Sequence, residues 1–139
     1  MTQSRPWAVL AVIGAGGALG SLARFGVEQV FPTAPSGFPW ATFGVNVAGC
    51  LLIGGLMVLA NEVRTPQRLL RPFLGVGVLG GFTTFSFHVL EAHGLLEARA
   101  AGTALAYLAA TAVVAVVAAY AGMATTRRLI GSDARRRTA

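Results

Sequence analysis

The chain has 139 residues, is 55% hydrophobic and only 12% charged, and carries a formal net charge of +6. A soluble domain carries about 25% charged residues, so this composition excludes an ordinary soluble protein. It points to one integral membrane domain with room for about four spans of some 20 residues each. Every basic residue is Arg and most lie beside the ends of apolar runs. The positive charge therefore reads as a topology signal and as contact with anionic lipid headgroups, not as a nucleic-acid surface.

The first apolar run, about 7–23, ends at Arg24. Arg5 before it and Ala18-Leu19-Gly20 within it imitate a secretory signal, but nothing that follows reads as a secreted domain. Gly16 and Gly20 are spaced i,i+4, as are Gly77 and Gly81 in the third run. Small residues at that spacing let helix backbones approach closely in lipid, so a packing role suffices for them. Pro32, Pro35, Pro39 and Gly37 then break the chain before a second run at about 40–60. Cys50 lies mid-span, is the only cysteine, and is expected to pack as a small apolar residue.

Asn46 lies near the centre of that second run, with Thr42 one turn earlier on the same face. A buried amide in lipid must be hydrogen-bonded and faces the bundle interior. It either meets a permeating ion or joins two helices.

The third run, about 72–90, is interrupted by Gly80-Gly81-Phe82-Thr83-Thr84-Phe85-Ser86. Paired glycines and β-branched threonines make a poor helix centre. A break at membrane depth frees backbone groups that lipid cannot satisfy, so it persists only inside protein or beside a polar cavity. Ion and substrate sites are built on such discontinuous helices. His88 lies one turn beyond, and a lone intramembrane histidine is a functional hypothesis in itself. The fourth run, about 102–124, carries Thr103, Tyr107 and Thr111 at i, i+4 and i+8. They form either a hydroxyl track or hydroxyls bonded back to their own helix. The tail, 127–139, is Arg-rich and reads as frayed. No metal-ligand spacing, nucleophile–base pair or phosphate loop is present in the sequence, so the chain does not read as an enzyme.

With four spans, both termini and the second connection share one side. That side holds Arg5, Arg64, Arg68, Arg71, Arg127, Arg128, Arg135, Arg136 and Arg137, against only Arg24 and Arg99 opposite. The positive-inside rule places both termini in the cytoplasm and fixes one orientation in the cell membrane.

The residues 16–25 (Gly16-Gly17-Ala18-Leu19-Gly20-Ser21-Leu22-Ala23-Arg24-Phe25) resemble the first-span motif of the Fluc/CrcB fluoride ion channels. Residues 41–50, from Ala41-Thr42-Phe43-Gly44 through Asn46 to Cys50, resemble the second-span motif. The stretch 80–86, followed by Leu90-Glu91, resembles the third-span break. Three motifs in order, with matching length and span count, cover nearly the whole chain.

This resemblance implies an all-α membrane protein of four transmembrane helices with a broken third helix, assembling as an antiparallel dimer. It implies two narrow fluoride pathways, lined here by Thr42, Asn46, Phe85, Ser86, His88, Tyr107 and Thr111. It also implies a structural Na⁺ on the backbone carbonyls of Gly80 and Thr83 and their dimer equivalents. Arg24 matches the arginine that ends the first motif. Arg24 and Glu91 are expected on the same, non-cytoplasmic side, close enough to pair or share a vestibule. The chemistry is consistent: hydroxyls and an amide replace fluoride's water, and a phenyl edge is positive.

Two departures stand out. His88 occupies a position where the family has a second phenylalanine. The Arg bias fits members that pair with a distinct, oppositely inserted homologue better than homodimers that insert both ways. Competing readings are a proton-coupled drug exporter, which needs an intramembrane carboxylate where Glu28, Glu62, Glu91 and Glu97 all read as span-end residues, and a non-conducting partner subunit. Asn46→Asp is expected to block an anion by repulsion while leaving assembly intact. The orientation is tested by topology reporters on the C-terminus. A single cytoplasmic signal is expected, and equal signals from both sides would show dual insertion.

Overall fold

The computed structural model describes residues 6–62 and 69–137. All the regular secondary structure among these residues is helical. The first two helices are α1, Pro6–Val30, and α2, Trp40–Glu62. A π-helical segment, Pro72–Leu79, continues into one turn, α3, Gly80–Phe82. Helix α4, Ser86–Glu97, and helix α5, Ala101–Arg137, complete the chain. Four stretches are long and apolar enough to cross a membrane: Pro6–Val30, Trp40–Asn61, Pro72–Glu97 and Ala101–Gly131. Large apolar side chains point outward along all of them, among them Leu19, Leu52, Val76 and Val116. That is the surface a lipid solvent selects, since it is as apolar as the side chains themselves.

Three span limits differ from the sequence reading. Helix α1 runs through Arg24 to Val30 because the guanidinium is neutralised one turn on, by Glu28 at 3.0 Å. The third span continues to Glu97 because Glu91 finds two hydroxyl donors. The tail expected to fray stays helical to Arg137. Its Ala, Arg and Leu residues are good helix formers, and propagation from an existing helix needs no new nucleus. Arg5, Arg64 and Arg68, on which part of the orientation argument rests, lie outside the described residues. The break between the first two spans falls where the prolines place it, over residues 31–39, with a turn closed by Gly37 N–H to Ala34 C=O at 2.9 Å.

Two tight crossings organise the bundle. Gly16 faces Phe73 and Gly77, while Gly20 faces Val78 and Phe82, so α1 and the third span run parallel. Thr42 and Tyr107 meet on Glu91, Gly54 faces Ala119, and Gly55 faces Thr126, so α2 and α5 also run parallel. Between the two pairs the order reverses: Thr42 meets Glu91, Asn46 meets Thr84, and Gly75 meets Leu56. The spans therefore go up, down, up, down, with both ends of the chain on one side.

A Cβ on Gly16 would lie 2.6 Å from the Phe73 carbonyl oxygen, and one on Gly20 would strike the Val78 carbonyl and come within 2.8 Å of the Phe82 nitrogen. Backbone cannot give way as a side-chain tip does. Gly14 and Gly26, in the same helix, face open space. Gly20→Val is therefore expected to cost about 3 kcal/mol, the upper end for overpacking. Gly14→Ala is expected to be neutral. The check is thermal loss of the monodisperse species in detergent, and equal midpoints for the two variants would contradict the packing.

Candidate functional site

The break follows from the local sequence. Thr83 turns to an extended conformation, φ −81° and ψ 155°, and helix resumes at Ser86. Four of the backbone groups around the break are met by side chains. Thr84 N–H donates to Asn46 Oδ1 at 2.9 Å, and Asn46 Nδ2 donates to the Thr84 carbonyl at 3.0 Å. Phe87 N–H donates to Thr84 Oγ1 at 3.2 Å. Thr83 Oγ1 donates back to the Leu79 carbonyl at 2.9 Å. From the other side, Ser21 Oγ and Arg24 Nε donate to the Gly81 carbonyl at 3.3 and 3.5 Å.

This rerouting has a specific result. In a continuous helix the Gly80 carbonyl accepts from the N–H of residue 84, and the Thr83 carbonyl from that of residue 87. Both donors are diverted, to Asn46 and to Thr84 Oγ1. The donors that would meet the Gly80 and Thr83 carbonyls in an unbroken helix are thus engaged elsewhere. Oxygen ligands of this kind suit a hard cation. Gly80 is exposed, with nothing within 4 Å of where a Cβ would stand.

Along α2, α4 and α5 lies a polar seam. Thr42, Asn46, His88 and Thr111 are the buried polar residues among those described, and Tyr107 is wholly buried beside them. Thr42 Oγ1 donates to Glu91 Oε1 at 2.9 Å, and the Tyr107 hydroxyl donates to Glu91 Oε2 at 2.7 Å. Thr111 Oγ1 donates to the Tyr107 carbonyl at 2.7 Å, the back-bonded alternative for that stripe. The His88 and Tyr107 rings meet edge to face at 4.3 Å, and His88 Nδ1 is buried with no hydrogen-bond partner. Ala92, Leu95 and Ala104 with Phe38 and Phe43 pack around Tyr107 and close the seam at one end.

The structure therefore brings together Thr42, Asn46, His88, Tyr107 and Thr111, and it adds Glu91 to them. Phe85 and Ser86 stand apart on the outward face of the break, Phe85 with 80% of its surface exposed. Arg24 pairs with Glu28 rather than with Glu91. Sequence reasoning missed Ser21 and Glu28 as partners of the site. Their spacing from Arg24, three residues before and four after, puts all three on one helical face and is the signal that could have found them. The exporter argument also needs correction, since Glu91 is inside the bundle and not at a span end.

Asn46 spends its amide on the Thr84 backbone, so an acid in its place keeps the acceptor and loses the donor. Asn46→Asp is thus expected to destabilise the fold as well as to repel an anion, contrary to the sequence expectation. Asn46→Ala strands both Thr84 groups and is expected to cost about 2–4 kcal/mol. Thermal unfolding followed by tryptophan fluorescence measures this, and a wild-type midpoint in Asn46→Ala would show the clamp to be dispensable.

A family model described as CrcB-like protein, Camphor Resistance (CrcB), matches residues 11–123. Fluoride-specific ion channel FluC 2 of Nocardia farcinica is 50% identical over 128 residues, covering 92% of this chain and 91% of that protein. Fluoride-specific ion channel FluC 2 of Thermobifida fusca is 47% identical over 131 residues, covering 94% and 97%. Fluoride-specific ion channel FluC 1 of Streptomyces coelicolor is 47% identical over 122 residues, covering 88% and 79%. These relatives are named as ion channels, not as enzymes or drug exporters, and this disfavours the exporter reading that Glu91 by itself would leave open. With the match running from the first span into the fourth, the chain belongs to the CrcB family of membrane proteins.

Proposed function

We propose that the chain is a subunit of a fluoride-selective channel in the cell membrane that lets cytoplasmic fluoride leave passively and so limits its toxicity. The observation that carries this reading is the buried seam of Thr42, Asn46, Tyr107 and Thr111, in a chain about half identical to fluoride-specific channels. Donors with no fixed cation suit an anion that must be held and then released. The Thr42 and Tyr107 hydroxyls are engaged by Glu91. Fluoride passing along the seam competes with that carboxylate for them. Phe85 offers a positive ring edge at the break.

A dimer completes the arrangement. Phe85, Ser86 and Gly80 are exposed, and no described residue comes within 4 Å of where a Cβ on Gly80 would stand. The chain exposes 9476 Å² of surface, whereas a compact globular chain of this size exposes about 6,800 Å². Lipid and a partner are what would cover the surplus. The carbonyls of Gly80 and Thr83, joined by their equivalents from an antiparallel partner, would hold a structural Na⁺. When bound, such an ion would supply positive charge to offset those carbonyl dipoles. The Arg bias supports a distinct homologue as that partner, with the homodimer as the other arrangement. The same bias supports cytoplasmic termini.

Liposomes loaded with fluoride or chloride provide the test. The chain, alone or with its paired homologue, is expected to release fluoride quickly and to retain chloride. Equal rates for the two anions, or no fluoride flux in either arrangement, would overturn the proposal.

A further inference from the structure

His88 is the one member of the seam whose chemistry the pathway has not used. It is 6% exposed, and its Nδ1 is buried without a partner. A buried polar atom left unpaired costs about 1–3 kcal/mol. No neighbour bonds it, and the nearby hydroxyls are committed elsewhere. The Tyr107 hydroxyl on α5 and the Thr42 hydroxyl on α2 are both on Glu91, and Thr111 is on the Tyr107 carbonyl. The Asn46 amide on α2 is on Thr84. The bland alternative, a core histidine packed on an aromatic ring, explains the 4.3 Å contact with Tyr107 and leaves Nδ1 unexplained. A small diffusible partner explains both.

Resting on the fluoride reading above, we infer that His88 is a proton-loaded anion site: in its imidazolium form Nδ1–H holds fluoride in the seam and slows its passage. Histidine is the side chain whose charge ordinarily changes between about pH 5 and 8. A neutral imidazole offers fluoride at most one weak donor, whereas the cation adds charge and strengthens the hydrogen bond. A site that binds too well traps what it should conduct. The charged and titratable groups facing it are few. Glu91 lies on its own helix and Tyr107 on α5, and α2 presents only uncharged Thr42 and Asn46. From α1, Glu28 is paired to Arg24. The Arg24 charge is thus balanced, so nothing in this set opposes protonation by an uncompensated positive charge.

The chain has two histidines, and the second, His93, is exposed and lies 3.5 Å from Glu97. This makes the test clean. Fluoride efflux from liposomes is measured between about pH 8 and pH 5, with protein-free vesicles subtracting leakage of HF through the lipid. Wild-type efflux is expected to fall two- to fourfold with acid, the lower figure applying where a paired homologue contributes a second pathway. His93→Gln is expected to keep that response and His88→Phe to lose it, with His88→Gln as the substitute should the Phe variant not assemble. A flat wild-type profile, or a response surviving without His88, overturns the inference. A readout independent of conduction is the ¹⁵N resonance of the His88 imidazole in the assembled protein at acid pH. A shift with sodium fluoride and none with sodium chloride is expected. Should wild type conduct no fluoride at any pH, the channel reading fails on its own, and the resonance still decides the anion site: a fluoride-specific shift supports it and no shift overturns it.

Discussion

The amide of Asn46 lies against the backbone of Thr84, and the third span depends on it. Inside a bilayer no water is available to a peptide group that leaves its helix. Here one side chain from a neighbouring helix supplies both an acceptor and a donor to the same residue, as another peptide would. Ser21 and Arg24 hold the Gly81 carbonyl from the opposite side, and the Thr84 hydroxyl restarts the ladder at Phe87. The break is thus held by α1 and α2 together. Its stability is a property of the bundle and not of the segment's own sequence.

Close approach makes that grip possible. The glycine crossings of α1 with the third span and of α2 with α5 bring backbones to the separation at which short side chains such as Ser21 and Asn46 reach across. Gly49 leaves room for the Thr83 methyl group in the same way. The two parallel pairs then meet along a polar strip, because the polar residues of each must be turned away from lipid. Packing by small residues and burial of polar ones are two aspects of one constraint, that the outer surface must be apolar.

Much of this was legible from spacing. Thr42 with Asn46, and Tyr107 with Thr111, share faces at i,i+4, and a polar face in an apolar helix has only the interior to turn to. The position of the break followed from Gly80-Gly81 and the threonine pair. What spacing could not show was which helices are neighbours. The fate of the Asn46 amide, an ion or a backbone, depends on Thr84 lying 38 residues away. Arg24 and Glu91 were read as span ends because an isolated charge is expensive in lipid. Each is carried further in because its partners, Glu28 for one and Thr42 with Tyr107 for the other, lower that expense. The helical tail was missed for a different reason: its residues look solvated, and solvation does not by itself unwind a helix that is already propagating.

Glu91 draws the hydroxyls of Thr42 and Tyr107 onto itself, and Asn46 and Thr111 are satisfied by backbone. A seam whose donors are occupied by the protein's own acceptors is not a standing tube of liquid. On the proposed reading, an ion crosses it by exchange, borrowing a donor as the side chain lets go of its previous acceptor and returning it on leaving. Such a path separates the movement of an anion from the bulk movement of solvent. A cell under osmotic stress could then shed fluoride through this protein without also admitting water along the same route.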